Sequence, residues 1–239
     1  MSVPYFLTPN PASGTLDGDE AKHAFVKRIE PGERIALTDG AGTVADVIVR
    51  HSDKQQLRGD VTEVRTVPAP EQRVTLVQAV PKSERAEIAV DLAVQGGVDA
   101  IVPWISHRTI ARWPAAKQAK QVEKWQHQAI ASAKQARRAW VPQVADPVTT
   151  NQLKDLLAEV GEGGVEKQAL VLHEDAAVPL TTVEFGRDIW LIVGPEGGIG
   201  EDELELIGAR AVTLGPEVLR TASAGFAALC AIGALTTRW

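Results

Sequence analysis

The feature that most constrains the fold is the alternation of short apolar runs with helical stretches after residue 70. Five runs, at residues 74–80, 100–105, 169–172, 189–193 and 211–214, have the length and composition of buried strands. The hydrophobic spacing predicts helices at residues 87–94, 115–138, 151–160, 201–209 and 222–237. Strands and helices that alternate in this way form a mostly parallel sheet covered by helices. The sequence therefore predicts an α/β fold for this part of the chain.

The first 70 residues have a different pattern, with short β segments separated by turns. The Asp-Gly-Ala-Gly sequence at residues 39–42 is typical of a hairpin turn. These features predict a small barrel or sandwich. Pro68-Ala69-Pro70 favours extended backbone and suits a linker, so we predict two domains, at residues 1–69 and 70–239.

Composition narrows the class of protein. The chain has 239 residues, of which 44% are hydrophobic and 23% charged, close to globular averages. The start, MSVPYFLTPN, lacks the pattern of a secretory signal, and the longest apolar stretch is shorter than the roughly 20 residues of a membrane span. The single cysteine, Cys230, is expected to be a small core residue. We expect a soluble cytoplasmic protein, and the histidine spacing predicts no metal site.

The basic residues are concentrated in one segment, although the net charge is −6. Residues 108–138 contain eight lysines and arginines and one acid, Glu123. Charges are screened over about 8 Å at physiological salt, so the local excess decides what this segment can bind. Such a segment is typical either of a solvated helix face or of a surface that binds a polyanion.

A glycine-rich loop, in the sequence IVGPEGGIGEDELELI, follows the run at residues 189–193. Glu196 interrupts the dinucleotide-binding pattern, and the loop lacks the lysine of a phosphate-binding loop. Glu196, Glu201 and Asp202 would also repel phosphates. A cationic ligand, or one held through backbone contacts to a neutral base and ribose, fits better. The alternative is a loop whose glycines only permit tight turns.

Two further strand ends carry features of the same kind. The sequence LGPEVLRTASAG follows the run at residues 211–214, and Leu172-His173-Glu174 ends another run. In open α/β sheets, ligands bind beyond the carboxyl ends of the strands. We therefore expect three loops to converge on one pocket lined largely by backbone.

The motifs GPEGGIGEDELE and LGPEVLRTASA together resemble the RsmE family of 16S ribosomal RNA uridine-N3 methyltransferases, of the SPOUT class. Residues 23–42 are similar to the PUA-like domain of that family, and residues 96–109 and 124–144 to its next segments. The resemblance covers nearly the whole chain. Three positions depart from the family pattern, because Gln95, Lys134 and Ala222 each stand where the family has an acid.

The resemblance implies an α/β fold with a mostly parallel sheet and a C-terminal trefoil knot, preceded by a small PUA-like β-barrel domain. It further implies a homodimer that transfers a methyl group from S-adenosylmethionine to N3 of a uridine in 16S ribosomal RNA. The partner would be ribosomal RNA or the small ribosomal subunit. The sulfonium cation of S-adenosylmethionine is compatible with the acidic loop.

The resemblance also implies roles for individual residues. Arg220 is the predicted catalytic residue, with a phosphate contact or an ordinary surface position as alternatives. The predicted cofactor-binding residues are Leu172, His173, Glu174, Gly194, Glu196, Gly197, Gly198, Leu214, Gly215, Leu219 and Thr221. The predicted RNA-binding residues are His23, Lys27, Arg28, Arg108, Arg112, Arg137 and Arg138.

Three other functions stay open from the sequence. One is a SPOUT-class methyltransferase that acts on another RNA, such as transfer RNA. Another is an RNA-binding module without catalysis, which would agree with the loss of the three acids. A nucleotide-hydrolysing enzyme is disfavoured by the acidic loop.

Overall fold

The computed structural model describes residues 3–111, 113–161 and 166–239. The chain divides into two compact units, which we call the N-terminal unit (Met1–Ala69 with Ala131–Val141) and the α/β unit (Pro70–Ile130 with Pro142–Trp239). No sequence pattern assigned Ala131–Val141 to the N-terminal unit. The division into an RNA-binding domain at residues 1–69 and a methyltransferase domain at residues 70–239 stays a prediction.

The N-terminal unit is a curled, five-stranded half-barrel in which the strands lie in the order β1-β3-β4-β5-β2. Strand β1 pairs with β3 in parallel, and the other pairs are antiparallel. Phe6, Leu16, Leu37 and Leu57 are fully buried in its core. Its elements are β1 (Tyr5–Leu7), a 3₁₀ turn (Pro11–Ser13), β2 (Thr15–Asp17), α1 (Gly18–Val26), β3 (Arg34–Thr38), β4 (Thr43–Ser52) and β5 (Gln56–Thr66).

The predicted hairpin turn connects β3 to β4. One carboxylate oxygen of Asp39 accepts hydrogen bonds from the backbone N–H groups of Ala41, at 2.7 Å, and Thr43, at 3.0 Å. Helix α1 was not predicted, since the sequence suggested only β segments in this region. Its buried side chains are the small ones of Ala21 and Ala24, which give a weak periodic signal.

The α/β unit contains the predicted parallel sheet, with strand order β12-β10-β11-β6-β7-β8 and with β9 paired to β7. Its strands are β6 (Arg73–Ala79), β7 (Ala100–Ile105), β8 (Gln143–Val144), β9 (Val148–Thr149), β10 (Lys167–Leu172), β11 (Asp188–Val193) and β12 (Arg210–Val212). Its helices are α2 (Ser83–Gln95), α3 (Ala115–Gln135), α4 (Thr150–Gly161), α5 (Glu201–Ile207) and α6 (Thr221–Leu235), where the last residues of α3 belong to the N-terminal unit. The predicted alternation of strands and helices is confirmed, and the two-residue strands β8 and β9 were missed because they are too short to show a pattern.

The register of the parallel sheet aligns three strand ends. Val171 of β10 pairs with Ile192 of β11, and Leu172 pairs with Val212 of β12. Leu76, Val171 and Ile192 are nearly or fully buried, because helices cover both faces of the sheet. The loops that leave β10, β11 and β12 therefore begin side by side.

The C-terminal part of the chain packs against the connection between β10 and β11. Leu180 donates its backbone N–H to the carbonyl of Thr213 at 2.8 Å, and Thr213 donates to the carbonyl of Val178 at 2.8 Å. Helix α6 contacts the 3₁₀ turn Leu180–Thr182 in the same connection. These contacts agree with the expected knot, which itself stays a prediction. The expectation for Cys230 is wrong, because this residue lies half-buried on α6 rather than in the core.

Candidate functional site

A cavity of about 1090 Å³ lies at the carboxyl ends of β10, β11 and β12. Three loops, at residues 172–175, 193–202 and 213–221, form most of its wall. The convergence expected from the three strand ends is therefore present. The lining includes the predicted catalytic residue and all the predicted cofactor-binding residues, namely Arg220 together with Leu172, His173, Glu174, Gly194, Glu196, Gly197, Gly198, Leu214, Gly215, Leu219 and Thr221.

The glycine loop after β11 is closed by its own backbone. Gly198 donates its N–H to the carbonyl of Pro195 at 2.9 Å and has a φ of 71°, which favours glycine. A Cβ atom at Gly194 would lie 2.6 Å from Cγ1 of Ile199. Both positions thus require glycine for the loop to close, and the closed loop presents backbone to the cavity.

The loop after β12 leaves more open space. A Cβ atom at Gly215 would lie 3.8 Å from Oε2 of Glu217, an ordinary van der Waals distance. Arg220 is the residue before α6, its carbonyl accepts the N–H of Ser223 at 2.8 Å, and its side chain is exposed. The guanidinium of Arg220 can therefore reorient toward a molecule in the cavity.

Arg108 lines the same cavity, although the sequence suggested it only as an RNA contact. Its Nη1 lies 3.4 Å from the carbonyl oxygen of Gly197. It belongs to a turn in which Ser106 and Thr109 bring their hydroxyl oxygens within 2.8 Å of each other. Arg108 thus connects this turn to the glycine loop.

A buried carboxylate holds the turn that carries Arg108. Oε1 of Glu203 accepts the backbone N–H of His107 at 2.9 Å and the hydroxyl of Thr150 at 2.5 Å. Trp104 donates its indole N–H to the same threonine hydroxyl at 3.3 Å. Glu203 was not predicted from the sequence. The signal that could have indicated its burial is its position on the face of α5 that also buries Ile207.

The charge of the cavity wall is mostly negative. Among the described lining residues, three arginines (Arg85, Arg108 and Arg220) face a larger number of acids. The acids are Glu174, Asp175, Glu196, Glu201, Asp202 and Glu217. Arg85 was also missed from the sequence. This excess of carboxylates favours a ligand that carries positive charge over a polyphosphate.

The predicted RNA-binding residues are divided between the two units. Arg108 lies in the α/β unit, whereas the structure places His23, Lys27, Arg28, Arg137 and Arg138 in the N-terminal unit. Arg112 lies outside the described residues.

The ends of α1 and α3 meet within the N-terminal unit. Nζ of Lys134 donates a hydrogen bond to Oε1 of Glu20 and lies 3.4 Å from Nδ1 of His23. Burial and the positive charge of Lys134 lower the pKa of His23 from its ordinary value. The basic residues that follow each of these two helices belong to the same unit.

Two of these basic residues have an unusual backbone. Arg28 and Arg137 have positive φ values of 58° and 54°, and each follows the end of a helix. Arg28 donates its N–H to the carbonyl of Phe25 at 2.9 Å, and Arg137 donates to that of Lys134 at 3.2 Å. This helix-ending geometry normally uses glycine. The sequence therefore keeps an arginine at two positions where the backbone favours glycine.

Two other kinds of site are absent from residues 3–111, 113–161 and 166–239. No helix there is long and apolar enough to cross a membrane. No three histidine, cysteine or acidic side chains of these residues are grouped so that they could hold a metal ion.

Two protein families match the sequence. The family described as "RNA methyltransferase domain" matches residues 68–233, and that described as "RNA methyltransferase PUA domain" matches residues 16–62. The first match covers most of the α/β unit and the second most of the half-barrel.

Three similar proteins share the same name. Ribosomal RNA small subunit methyltransferase E from Mycobacterium bovis is 42% identical over 234 residues, which cover 95% of this chain and 88% of the relative. The protein of that name from Aquifex aeolicus is 30% identical, with 86% of this chain and 87% of the relative covered. A crystal structure of the Neisseria gonorrhoeae protein of the same name, bound to S-adenosylmethionine, superposes with a TM-score of 0.85 at 29% identity and covers 98% of both chains.

Proposed function

The chain belongs to the family of ribosomal RNA small subunit methyltransferase E and is an RNA methyltransferase, and we propose that it methylates N3 of a uridine in 16S ribosomal RNA with S-adenosylmethionine as donor. The predicted fold class, a parallel α/β sheet preceded by a PUA-like half-barrel, is confirmed. The observation that carries the proposal is the convergence of three loops on one cavity lined by every predicted donor-binding residue.

The cavity suits the proposed donor in two respects. Carboxylates outnumber guanidinium groups in its wall, which favours a ligand with a cationic sulfur. Gly215 exposes backbone to open space, so main-chain groups of the loop after β12 are accessible to a neutral base or ribose. We propose that the eleven predicted residues named above hold S-adenosylmethionine, which supplies a methyl group bound to positively charged sulfur.

Arg220 is the proposed catalytic residue. Uridine N3 carries a proton that must leave before the nitrogen can accept a methyl group, and its loss places negative charge on the neighbouring carbonyl oxygens. The exposed guanidinium of Arg220, at the cavity wall before α6, can stabilise that charge. Accurate positioning of the base contributes up to about 7–11 kcal/mol in well-oriented systems, so the walls that hold both substrates matter as much as any single residue.

We propose that the N-terminal unit supplies most of the contacts to RNA phosphates. The exposed side chains of Lys27, Arg28 and Arg137 are available for such contacts, and Arg108 offers another at the cavity. His23, Arg138 and Arg112 complete the predicted set. If about six phosphates are neutralised, the affinity for RNA falls about a thousandfold between roughly 50 and 200 mM salt.

We propose further that the protein acts as a cytoplasmic homodimer in which α6 contacts the second copy. This helix buries Ala228, Leu229 and Ile232. Ala227 and Cys230 on it are only partly buried, and a nearly all-apolar helix is stable only when its remaining faces are also covered. Analytical ultracentrifugation would contradict this part of the proposal if it found a monomer at concentrations that support activity.

Mass spectrometry of ribosomal RNA from cells that lack the protein tests the main proposal. We expect one N3-methyluridine to disappear from 16S RNA and to return when the gene is restored. Unchanged methyluridine would overturn the substrate, and a change in transfer RNA instead would favour the alternative methyltransferase. A calorimetric titration with S-adenosylmethionine that showed no heat would favour an RNA-binding module without catalysis.

A further inference from the structure

The N-terminal unit exposes an aromatic side chain at the end of α1. Phe25 is 41% exposed and the next residue, Val26, is 70% exposed. Elsewhere in the same unit the large apolar side chains of Phe6, Leu16 and Leu37 are fully buried in the core. Phe25 therefore lies on the surface although the half-barrel has a well-formed interior.

A cation is held against the ring of Phe25. Nζ of Lys54 lies over the ring, 5.6 Å from its centroid, which is within the range of a cation–π interaction. Lys54 belongs to the turn between β4 and β5. The aromatic ring and the lysine come from two separate elements, so their contact is set by the fold.

The turn that presents Lys54 is fixed by Asp53. Its Oδ1 accepts the backbone N–H groups of Gln55, at 2.7 Å, and Gln56, at 2.8 Å, and its Oδ2 lies 2.9 Å from Nε2 of His51. The hydrogen bond from Gln56 and that from His51 lower the pKa of Asp53 to about 2. The carboxylate therefore stays ionised and keeps the turn in place at physiological pH.

Further cations lie along the same helix. Lys22 precedes Phe25 by three residues and so shares its face of α1, and Lys27 and Arg28 come directly after the last residue of the helix, Val26. All three side chains are exposed. Positively charged side chains of α1 and of the turn between β4 and β5 thus accompany the ring.

We propose that Phe25 is a stacking platform for an unpaired nucleobase of the RNA substrate, with Lys22 and Lys54 contacting the adjoining phosphates. Aromatic rings surrounded by cations bind single-stranded RNA because every base has a π face and every nucleotide a negative charge. The exposed apolar side chains of Phe25 and Val26 are accompanied by Lys22, Lys27 and Lys54, which fits a nucleotide better than an apolar protein surface. This inference rests on the proposed function in one respect, which is that the ligand is RNA.

Fluorescence anisotropy of the full-length protein with a labelled single-stranded oligouridine tests the proposal. Phe25→Ala is expected to weaken binding about tenfold, in line with the loss of one stacked base. Phe25→Tyr, which keeps the ring, is expected to bind within about twofold of the wild type, whereas Phe25→Leu should behave like Phe25→Ala. Val64→Ala removes another exposed apolar side chain of the same unit, 49% exposed, and serves as the matched control.

Two further measurements separate stacking from charge. The loss caused by Phe25→Ala should be equal at roughly 50 and 200 mM salt, while Lys54→Ala should reduce the dependence of the affinity on salt. The inference would be overturned if Phe25→Ala or Phe25→Leu bound the oligouridine as tightly as the wild type does. It would also be overturned if the wild type did not bind the oligouridine. Methylation of 16S RNA and the titration with S-adenosylmethionine are measured separately, so either proposal can fail while the other stands.

Discussion

The guanidinium of Arg238 and the carboxylate of Asp99 form a buried ion pair near the end of the chain, with Nη1 and Oδ2 2.8 Å apart. Both side chains are less than 10% exposed, at 6% and 9%. Arg238 also donates hydrogen bonds to the carbonyls of Gly97 and Gln72, and Asp99 accepts the backbone N–H of Val74 at 2.8 Å. The pair therefore ties the residues after α6 to the beginning of β6 and β7.

Replacing Arg238 is expected to destabilise the protein strongly. Arg238→Ala leaves a buried carboxylate without its guanidinium partner, which typically costs about 3–5 kcal/mol of unfolding free energy. Arg187→Ala is the control, because Arg187 is 69% exposed in its ion pairs and should contribute less than about 1 kcal/mol. Urea denaturation measures both values, and similar losses for the two variants would contradict this account of the pair.

A bulky side chain at Gly215 is expected to block the donor site without disturbing the fold. Among the described residues other than its chain neighbours, only Glu217 has an atom within 4 Å of a Cβ placed there, namely Oε2 at 3.8 Å, so the added atoms would extend into open space. Gly215→Leu should weaken binding of S-adenosylmethionine more than about tenfold, equivalent to 1.4 kcal/mol. Gly215→Ala should have a smaller effect. Calorimetry checks this, and wild-type affinity in a folded Gly215→Leu variant would place the donor elsewhere.

Arg220→Ala is expected to slow methyl transfer while leaving the donor affinity nearly unchanged. Loss of one group that stabilises developing negative charge typically lowers kcat by about 10²–10³-fold. Arg220→Lys keeps the charge and should recover part of the rate. Steady-state kinetics with 16S RNA decides the role, because a higher KM with an unchanged kcat would assign Arg220 to a phosphate contact instead.

Most of the α/β unit was predictable because its signals are local. The strands are short apolar runs, and the loops that leave them contain glycines and prolines directly after those runs. Since the ends of β10, β11 and β12 lie in register, three stretches distant in sequence had to meet at one edge of the sheet. The cavity followed from this rule without any knowledge of side-chain contacts.

The features that were missed depend on partners distant in sequence. Trp140 donates its indole N–H to the carbonyl of Val67 at 2.9 Å, and Gly42 donates its backbone N–H to that of Ala139 at 3.0 Å, which brings Ala131–Val141 into the N-terminal unit. Neither contact leaves a periodic signal in the sequence. Glu203 was missed for the same reason, because its buried partner Thr150 lies far along the chain.

Glycine at position 28 is expected to preserve the fold and weaken RNA binding. A left-handed backbone costs a non-glycine residue about 1–2 kcal/mol, while glycine loses roughly 0.4–1 kcal/mol through the greater freedom of the unfolded chain. Arg28→Gly should therefore leave the unfolding free energy within about 1 kcal/mol of the wild type or raise it. RNA affinity should fall, and the slope of its dependence on salt should drop by about one. Arg137→Gly should behave in the same way.

The control for these variants is Arg50→Ala. Arg50 is 62% exposed and paired with Asp60 at 2.6 Å, and it is not among the predicted RNA contacts. The Arg50→Ala variant should leave the RNA affinity and the slope of its dependence on salt unchanged. If Arg28→Gly and Arg137→Gly bind RNA as tightly as Arg50→Ala, the two left-handed arginines do not contact the substrate.

The lowered pKa of His23 predicts a loss of stability in mildly acidic solution. Burial is the main cause, followed by the charge of Lys134, and the opposing effect of Glu20 is smaller. In the unfolded chain this histidine takes up a proton near its ordinary pKa of 6.5, whereas in the folded protein it stays neutral to a lower pH. The unfolded state then binds more protons, so the contribution of His23 is complete above about pH 6.5 and declines as the pH falls through the folded pKa.

Urea denaturation at about pH 7.5 and 5.5 measures this contribution. His23→Gln, which cannot take up a proton, should lose less stability than the wild type between the two values. NMR titration of the His23 ring protons provides a direct check, with a midpoint expected below 6.5. A midpoint above that value would show that Glu20 outweighs burial and Lys134, and the pH dependence of stability would then have the opposite sign.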